Sequence, residues 1–493
     1  MSKRPNILFI LSDDHAAHAI SAYTDAGLGP RILHTPNIDR IADPANGGIR
    51  AENCFCTNSI CTPSRASILT GQHTHVCDVK TLADSLDNRH DPQVQKLLKN
   101  AGYRTAIFGK WHLGHGPLEK GGNGDPAGFD DWAVLPHQGL YYDPTFFTGS
   151  DKGRRGELHT KGYVTDIITD LAEEWLEQWD EDYRQREEPF FLCVHHKAPH
   201  RKWEPGPLEK DMFDGQTMPE PETLWDDYAT RPAAALVRMR IDRDLEYKDV
   251  KANPPKELEG KELKRWYYDR YIKDYLRCCA GVDRNVGRIL DKLQTMGLAE
   301  DTLVVYTSDQ GFFLGDHGLY DKRLIYEHSL RMPLVMRLPG KFKGGATDAM
   351  FTNVDFAPTL LEVAGLPTPE SMQGKSFLPM LEGQDEPDDW QQSIYYRYWM
   401  HGDRSHNVPA HYGVRTRTHK LTYYYCKGLG CAGAGQINIG MDPYWELFDL
   451  TADPNELKNI YGKPGTEAIT AELKAEMRRL QDSFCDEPVA DEL

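Results

Sequence analysis

Short apolar runs that end in polar clusters recur along the chain. Residues 6–11 lead into Ser12-Asp13-Asp14, and 105–108 into Gly109-Lys110-Trp111-His112. Residues 190–194 lead into His195-His196-Lys197-Ala198-Pro199-His200, and 303–307 into Ser308-Asp309-Gln310-Gly311. None of the runs alternates with polar residues, which predicts strands buried on both faces. Helical stripes lie between them. Val164, Ile167, Ile168, Leu171, Trp175 and Trp179 share one face, and so do Val286, Ile289, Leu290 and Leu293 before a stop at Gly297. Strands alternating with helices predict an α/β domain with a large, mainly parallel sheet. In such sheets ligands bind beyond the carboxyl ends of the strands. All four polar clusters fall at such ends, so the pattern predicts that they share one site.

The texture changes twice. Residues 201–275 are rich in charge, Pro and Trp and weakly periodic until 265–275, which predicts an insertion over the sheet that can form a substrate wall. From about 390, the segments 393–399, 412–417, 420–425 and 444–450 read as strands. Residues 469–484 read as a closing helix with Leu473, Met477 and Leu480 on one face. The expected organisation is a catalytic α/β domain over 1–388 and a smaller C-terminal domain, antiparallel sheet plus helix, over 389–493. The Gly-rich stretch 428–440 reads as a loop.

Composition narrows the function. The chain of 493 residues is long enough for two cores. With 40% hydrophobic and 27% charged residues it reads as soluble and globular. A net charge of −18 argues against nucleic acid and anionic membrane as partners. The opening apolar run is too short for a signal peptide, and two carboxylates follow it at once. The chain as given therefore reads as cytoplasmic, or as periplasmic or secreted had an export signal been removed. Ten scattered cysteines read as buried free thiols, without a second pair at zinc-site spacing.

The strand-end residues carry the chemistry. Asp13, Asp14 and Asp309 in one pocket would repel unless a cation neutralised them. An all-oxygen set that includes the Gln310 carbonyl suits a hard ion, calcium or magnesium. Either pair alone reads equally well as ordinary turn chemistry. Arg65, Lys110, His112, His200 and Lys322 together would make a cationic site for an oxyanion such as sulfate or phosphate. Cys61 precedes Pro63, which fits the first turn of a helix that runs on to Gly71. A thiol there is expected to have a lowered pKa. Local pattern leaves a packed thiol and a thiolate nucleophile both open, although a soft thiolate suits a hard cation poorly.

Cys61-Thr62-Pro63-Ser64-Arg65, continuing through Ala66-Ser67-Ile68-Leu69-Thr70-Gly71, resembles the signature of type I sulfatases, in which the cysteine is converted to Cα-formylglycine. Residues 6–14, Thr35-Pro36-Asn37-Ile38-Asp39, 109–114, 190–200, 308–311 and 319–331 resemble further blocks of that family in the same order, and the likeness covers about 5–465. It implies the alkaline-phosphatase-like fold. It also implies a calcium ion, or magnesium, held by Asp13, Asp14, Asp309, Gln310 and the modified Cys61. A hydroxyl of the hydrated aldehyde would attack sulfur, with His200 and Lys322 protonating the leaving alcohol. His112 would then take the proton of the second hydroxyl as sulfate leaves, while Arg65 and Lys110 hold oxygens. Gln310 stands where many relatives carry Asn. Maturation implies a formylglycine-generating enzyme or an anaerobic maturase as partner.

The stretches 137–144 and 395–421 resemble sulfatases acting on sulfated carbohydrates. His137, Tyr141, Tyr142, Arg404, His406 and His411 are candidates to contact the sugar, and His196, Asp316 and His317 to line the substrate side. Singly, each reads equally well as a packed residue. The negative charge favours a mono- or oligosaccharide over a long sulfated polymer. Phosphodiester or phosphonate monoester hydrolysis at the same formylglycine is the alternative reaction. A silent sulfo-sugar binder with unconverted Cys61 is the alternative class, against which the complete acid and base set argues.

Overall fold

A computed structural model describes residues 4–114, 125–150 and 155–489. The first eight strands are β1 (Asn6–Ser12), β2 (Gly48–Phe55), β3 (Arg104–Lys110), β4 (Asp131–Leu135), β5 (Thr145–Ser150), β6 (Arg155–His159), β7 (Phe190–His196) and β8 (Thr302–Ser308). A two-stranded ribbon, β9 (Phe313–Leu314) and β10 (Tyr320–Asp321), precedes β11 (Leu334–Arg337) and β12 (Gly345–Thr352). The ten-stranded sheet has the order β12-β2-β11-β8-β1-β7-β3-β4-β5-β6.

The four apolar runs form its centre, β8-β1-β7-β3, all parallel, with Ser12 opposite both His196 and Ser308. Every residue of β1 is buried. Ile7, Phe9 and Leu11 enter one core with Cys193 and Val305, while Leu8 and Ile10 enter the other with Val194 and Tyr306. Two cores leave no solvent face, hence no polar alternation. Each fully buried aliphatic side chain here contributes about 2 kcal/mol. The Val164–Asp182 and Gly260–Thr295 helices cover one face, and the Cys61–Thr70 and Phe356–Val363 helices the other.

The remaining six strands of the sheet make it mixed. β11 runs antiparallel to both β8 and β2, and β4, β5 and β6 pair antiparallel. The periodic stretch 265–275, expected to close the insertion, and the stripe from Val286 to Leu293 belong to one helix of 36 residues. Across 201–259 regular structure is limited to Pro232–Leu236 and Tyr247–Val250. This segment lies over the strand ends: Ile241 N–H donates to Gly318 O at 3.1 Å and Tyr320 N–H to Met239 O at 2.9 Å.

The small sheet β13 (Ser393–Tyr398), β14 (His411–Thr416), β15 (His419–Tyr424) and β16 (Tyr444–Asp449) is antiparallel in that order. Leu473, Met477 and Leu480 of the Glu467–Phe484 helix pack on its Tyr395, Tyr412 and Leu421. One buried ammonium joins this sheet to the segment that carries Lys322. Lys420 Nζ donates to Glu456 Oε1 at 2.7 Å and Ile325 O at 2.8 Å, and lies 2.9 Å from Glu327 Oε1. All ten cysteines are free, and seven are buried.

Candidate active site

The parallel register gathers the strand-end clusters. Asp13 and Asp14 follow β1, Lys110 ends β3, His200 lies four residues past β7, and Asp309 and Gln310 follow β8. The wholly buried Cys61–Thr70 helix starts among them, with Ile60 extended at its N-cap and Gly71 closing it at φ 65°. Cys61 Sγ donates to Asp13 Oδ1 at 3.2 Å. Arg65 Nε donates to Asp309 Oδ2 at 2.9 Å and Nη1 to Lys110 O at 2.7 Å. Its buried Nη2, 3.9 Å from Asp13 Oδ1, has no hydrogen-bond acceptor among the described residues. Lys110 Nζ donates to Asp13 Oδ2, and Lys322 Nζ to Asp14 Oδ1. Asp14, His112, Asp321 and Arg323 all have φ between 56° and 98°. Non-glycine residues are held in this region only where the surroundings over-determine it, which is common around active sites.

Burial and charge set the protonation. Burial opposes ionisation of Asp13, yet Lys110, His200 and Arg65 hold it well below the usual carboxylate range. Burial pushes Asp14 up to about 7, with Lys322 opposing and Asp13 and Asp309 adding. Burial and then Asp13 also raise Asp309. Burial lowers both His112 and His200 well below an ordinary histidine; Lys110 adds to this and Asp13 opposes it. Cys61 corrects the sequence expectation. Burial, then Asp13, push its thiol up rather than down, because desolvation outweighs the helix terminus. A thiolate nucleophile has no support here.

The donor set fits a hard cation. Oxygens of Asp13, Asp14 and Asp309 lie within 4.8 Å of one another. Asp14 Oδ2 and Gln310 Oε1 are buried without a hydrogen-bond partner among the described residues. An all-oxygen cluster with orphaned acceptors is the arrangement a divalent ion satisfies.

The other expected residues divide. His137 is exposed and lines a cleft with Trp111, His112 and Trp132. Tyr141 is buried and donates to His200 O at 2.6 Å; Tyr142, 40% exposed, donates to Pro205 O at 2.5 Å. His406 is 3.4 Å from Asp321 Oδ2 and 3.3 Å from Arg323 Nη2, so it joins the two neighbours of Lys322 in a polar wall. Arg404 is exposed. Three are corrected to packed positions, and Asp316 is found ion-paired. His196 is wholly buried with both ring nitrogens unpartnered. His411 lies among the rings of Tyr396, Tyr398 and Tyr424. His317 is held by Asp226 at 2.8 Å and stacks on Tyr326. Asp316 is bridged by His18 and His328. His196, His411 and His317 lie where side chains close over them once the chain folds, whereas Asp316 lines a cleft with His18, Tyr268 and His328.

Sequence reading missed Gln138, Lys197, Asp321 and Arg323, each beside a residue it did name. Gln138 Oε1 accepts from Lys110 Nζ. Lys197 is 3% exposed, its Nζ makes no hydrogen bond among the described residues, and it holds that ammonium 4.6 Å from the Tyr141 ring centre. Burial, then Lys110, bring it down to about 8.

Fold and site together define a hydrolase of the alkaline-phosphatase-like class. The sulfatase family profile matches residues 5–366, and the profile of the N-sulphoglucosamine sulphohydrolase C-terminal domain matches 315–483. The chain belongs to the sulfatase family and is a sulfuric ester hydrolase. It is 38% identical to an N-acetylglucosamine-6-O-sulfatase of Bacteroides thetaiotaomicron, over 98% of this chain and 88% of that protein. It is 26% identical to human N-acetylglucosamine-6-sulfatase, over 93% and 81%. A solved structure described as a complex with its substrate D-glucosamine-2-N,6-O-disulfate superposes with a TM-score of 0.86 at 37% identity, covering 98% of both chains. A phosphonate monoester hydrolase from Silicibacter pomeroyi, TM-score 0.74 at 20% identity, shares the fold.

Proposed function

We propose that this sulfatase removes the 6-O-sulfate from a glucosamine residue, N-acetylated or N-sulfated, in a mono- or oligosaccharide. Cys61 acts as Cα-formylglycine, and Asp13, Asp14, Asp309 and Gln310 hold calcium. The observation that carries this reading is the buried ring of Arg65, Lys110 and Lys322 around Cys61 and the three carboxylates. The relative at 38% identity and the glucosamine disulfate complex supply the sugar. When present, the cation and the hydrated aldehyde supply charge neutralisation at sulfate and a hydroxyl pair, one to attack sulfur and one through which sulfate is expelled.

The chain's own residues do the rest. Arg65 Nη2, without an acceptor among the described residues, is placed for a sulfate oxygen. His200 donates from Nδ1 to Arg201 O at 2.6 Å, so its Nε2 has a proton to pass to the departing sugar oxygen only in the doubly protonated ring, the form that Asp13 favours. His112, neutral by burial, takes the proton released as sulfate leaves. Asp321, Arg323 and His406 offer donors and acceptors to sugar hydroxyls beside Lys322. Cys61 is 1% exposed, so the formylglycine-generating enzyme or anaerobic maturase acts before the fold closes.

Turnover of N-acetylglucosamine 6-sulfate, D-glucosamine-2-N,6-O-disulfate, a galactose 4-sulfate and an aryl phosphonate on one preparation tests the reading. Only the two 6-O-sulfated glucosamines should be efficient substrates. Preference for the phosphonate would assign the alternative reaction, and preference for the 4-sulfate would overturn the sugar.

A further inference from the structure

Gln138 belongs neither to the acidic cluster nor to the cations, yet it bridges two of the site's working side chains. Its Oε1 accepts from Lys110 Nζ, and its Nε2 is 3.4 Å from His112 Nε2. The direction of this amide is forced. An ammonium has only donors, so the carbonyl end must face Lys110 and the NH2 end must face His112. An amide N–H cannot accept, so the ring nitrogen opposite must. His112 Nε2 therefore carries a lone pair. The ring proton is on Nδ1, 3.3 Å from Thr62 Oγ1, which accepts it. Lys110 is itself anchored, because its Nζ also donates to Asp13.

We infer that Gln138 is a positioning residue: it passes the donor polarity of Lys110 on to His112 and holds that imidazole as the neutral Nδ1–H tautomer, with Nε2 open to take a proton. The inference rests on the proposed role of His112 in sulfate release. The surroundings agree with it. Burial disfavours an imidazolium, as do Lys110, Arg65 and Lys322, and Asp13 is the one named charge that favours it. The backbone at His112, with φ 56°, fixes the ring between Thr62 and Gln138.

Gln138→Glu tests it. The substitution keeps the shape and the contact to Lys110 but puts an acceptor opposite His112 Nε2, which then gains a proton. The acidic limb of the kcat–pH profile on a 6-O-sulfated glucosamine should move up by about one unit or more, so that kcat on that limb falls roughly tenfold. KM should stay within about twofold. Gln138→Met, which removes both contacts, should lower kcat at every pH without moving the limb. Ring nitrogen-15 spectra of histidine-labelled protein, with the His112 signal assigned by its loss in His112→Ala, read the tautomer without any substrate. They should show Nδ1–H in the parent and a proton on Nε2 in Gln138→Glu. An Nε2–H signal in the parent, or a Gln138→Glu profile that only scales the parent's, would overturn the inference. A parent without turnover of sulfated glucosamine would sink the proposed function instead, and the spectra would still decide the tautomer.

Discussion

Removing the divalent cation should make stability fall as pH rises from about 4 to 7. Asp13, Asp14 and Asp309 are all essentially inaccessible to water, with oxygens within 4.8 Å of one another. Without a cation, burial holds the Asp14 carboxyl at about 7, whereas in the unfolded chain it titrates near 4. Between those values the native state binds a proton that the unfolded state has released, so stability declines with rising pH. The full difference corresponds to about 4 kcal/mol above pH 7. Asp309 is raised and acts in the same direction. Asp13 is depressed, so its stabilising contribution is lost only as pH falls well below this window. Glu446 and Asp283 are also raised by burial, but they lie outside the cation cluster and cancel when chelated and loaded protein are compared. For a chain of 493 residues, 1 kcal/mol moves Tm by roughly 1 °C. Calorimetry in chelator should therefore show Tm about 3 °C lower at pH 8 than at pH 5, relative to the same pair in calcium, because part of the loss is complete by pH 5. Calcium binding should release protons below pH 7 and become tighter as pH rises. Equal pH dependence with and without chelator would refute the reasoning, because the cluster would then not be the cation's site.

Cys61→Ser should fold normally and lose at least about 10³-fold in sulfate release, with no aldehyde in the mass of the residue 61 peptide. A serine variant as fast as the parent would remove the aldehyde from the reaction. Arg65→Met leaves Asp309 Oδ2 and Lys110 O without their buried donor and should cost about 3–5 kcal/mol in a denaturant titration, along with most of kcat/KM. Lys197→Met should raise KM roughly tenfold while leaving Tm unchanged or higher, since it deletes a buried ammonium that has no acceptor among the described residues; a lower Tm with unchanged KM would mark Lys197 as structural. His411→Phe, inside a tyrosine cluster, should leave KM within about twofold, and a larger rise would place it in the sugar site.

The central strands and the chemistry at their ends were legible because burial on both faces writes itself into composition: β1, β7 and β8 have no solvent side to encode. The edge strands were not legible for the converse reason. β6 reads Arg-Gly-Glu-Leu-His, every residue exposed, and no local pattern separates it from a loop. The long helix was read as two pieces because Cys278-Cys279-Ala280-Gly281 carries no apolar stripe, although Cys278 and Cys279 are fully buried, Cys278 against Tyr141 and Tyr163. Residue types at the site were readable, while their surroundings were not. A helix start predicts an acidic thiol at Cys61, and desolvation by strands from three distant parts of the chain reverses it. His406 and His411 lie five residues apart in one aromatic, basic stretch, yet one joins the wall beside Lys322 and the other is sealed among tyrosines. Gln138 shows the same limit at the level of a single proton. Its neighbour His137 carries the more conspicuous side chain, but it is the direction of the Gln138 amide, set by Lys110 at the end of β3, that decides which nitrogen of His112 can accept. Spacing along a chain selects which groups meet. Donor and acceptor direction exists only once they have met, and in this site that direction separates a histidine able to take a proton from one already carrying it.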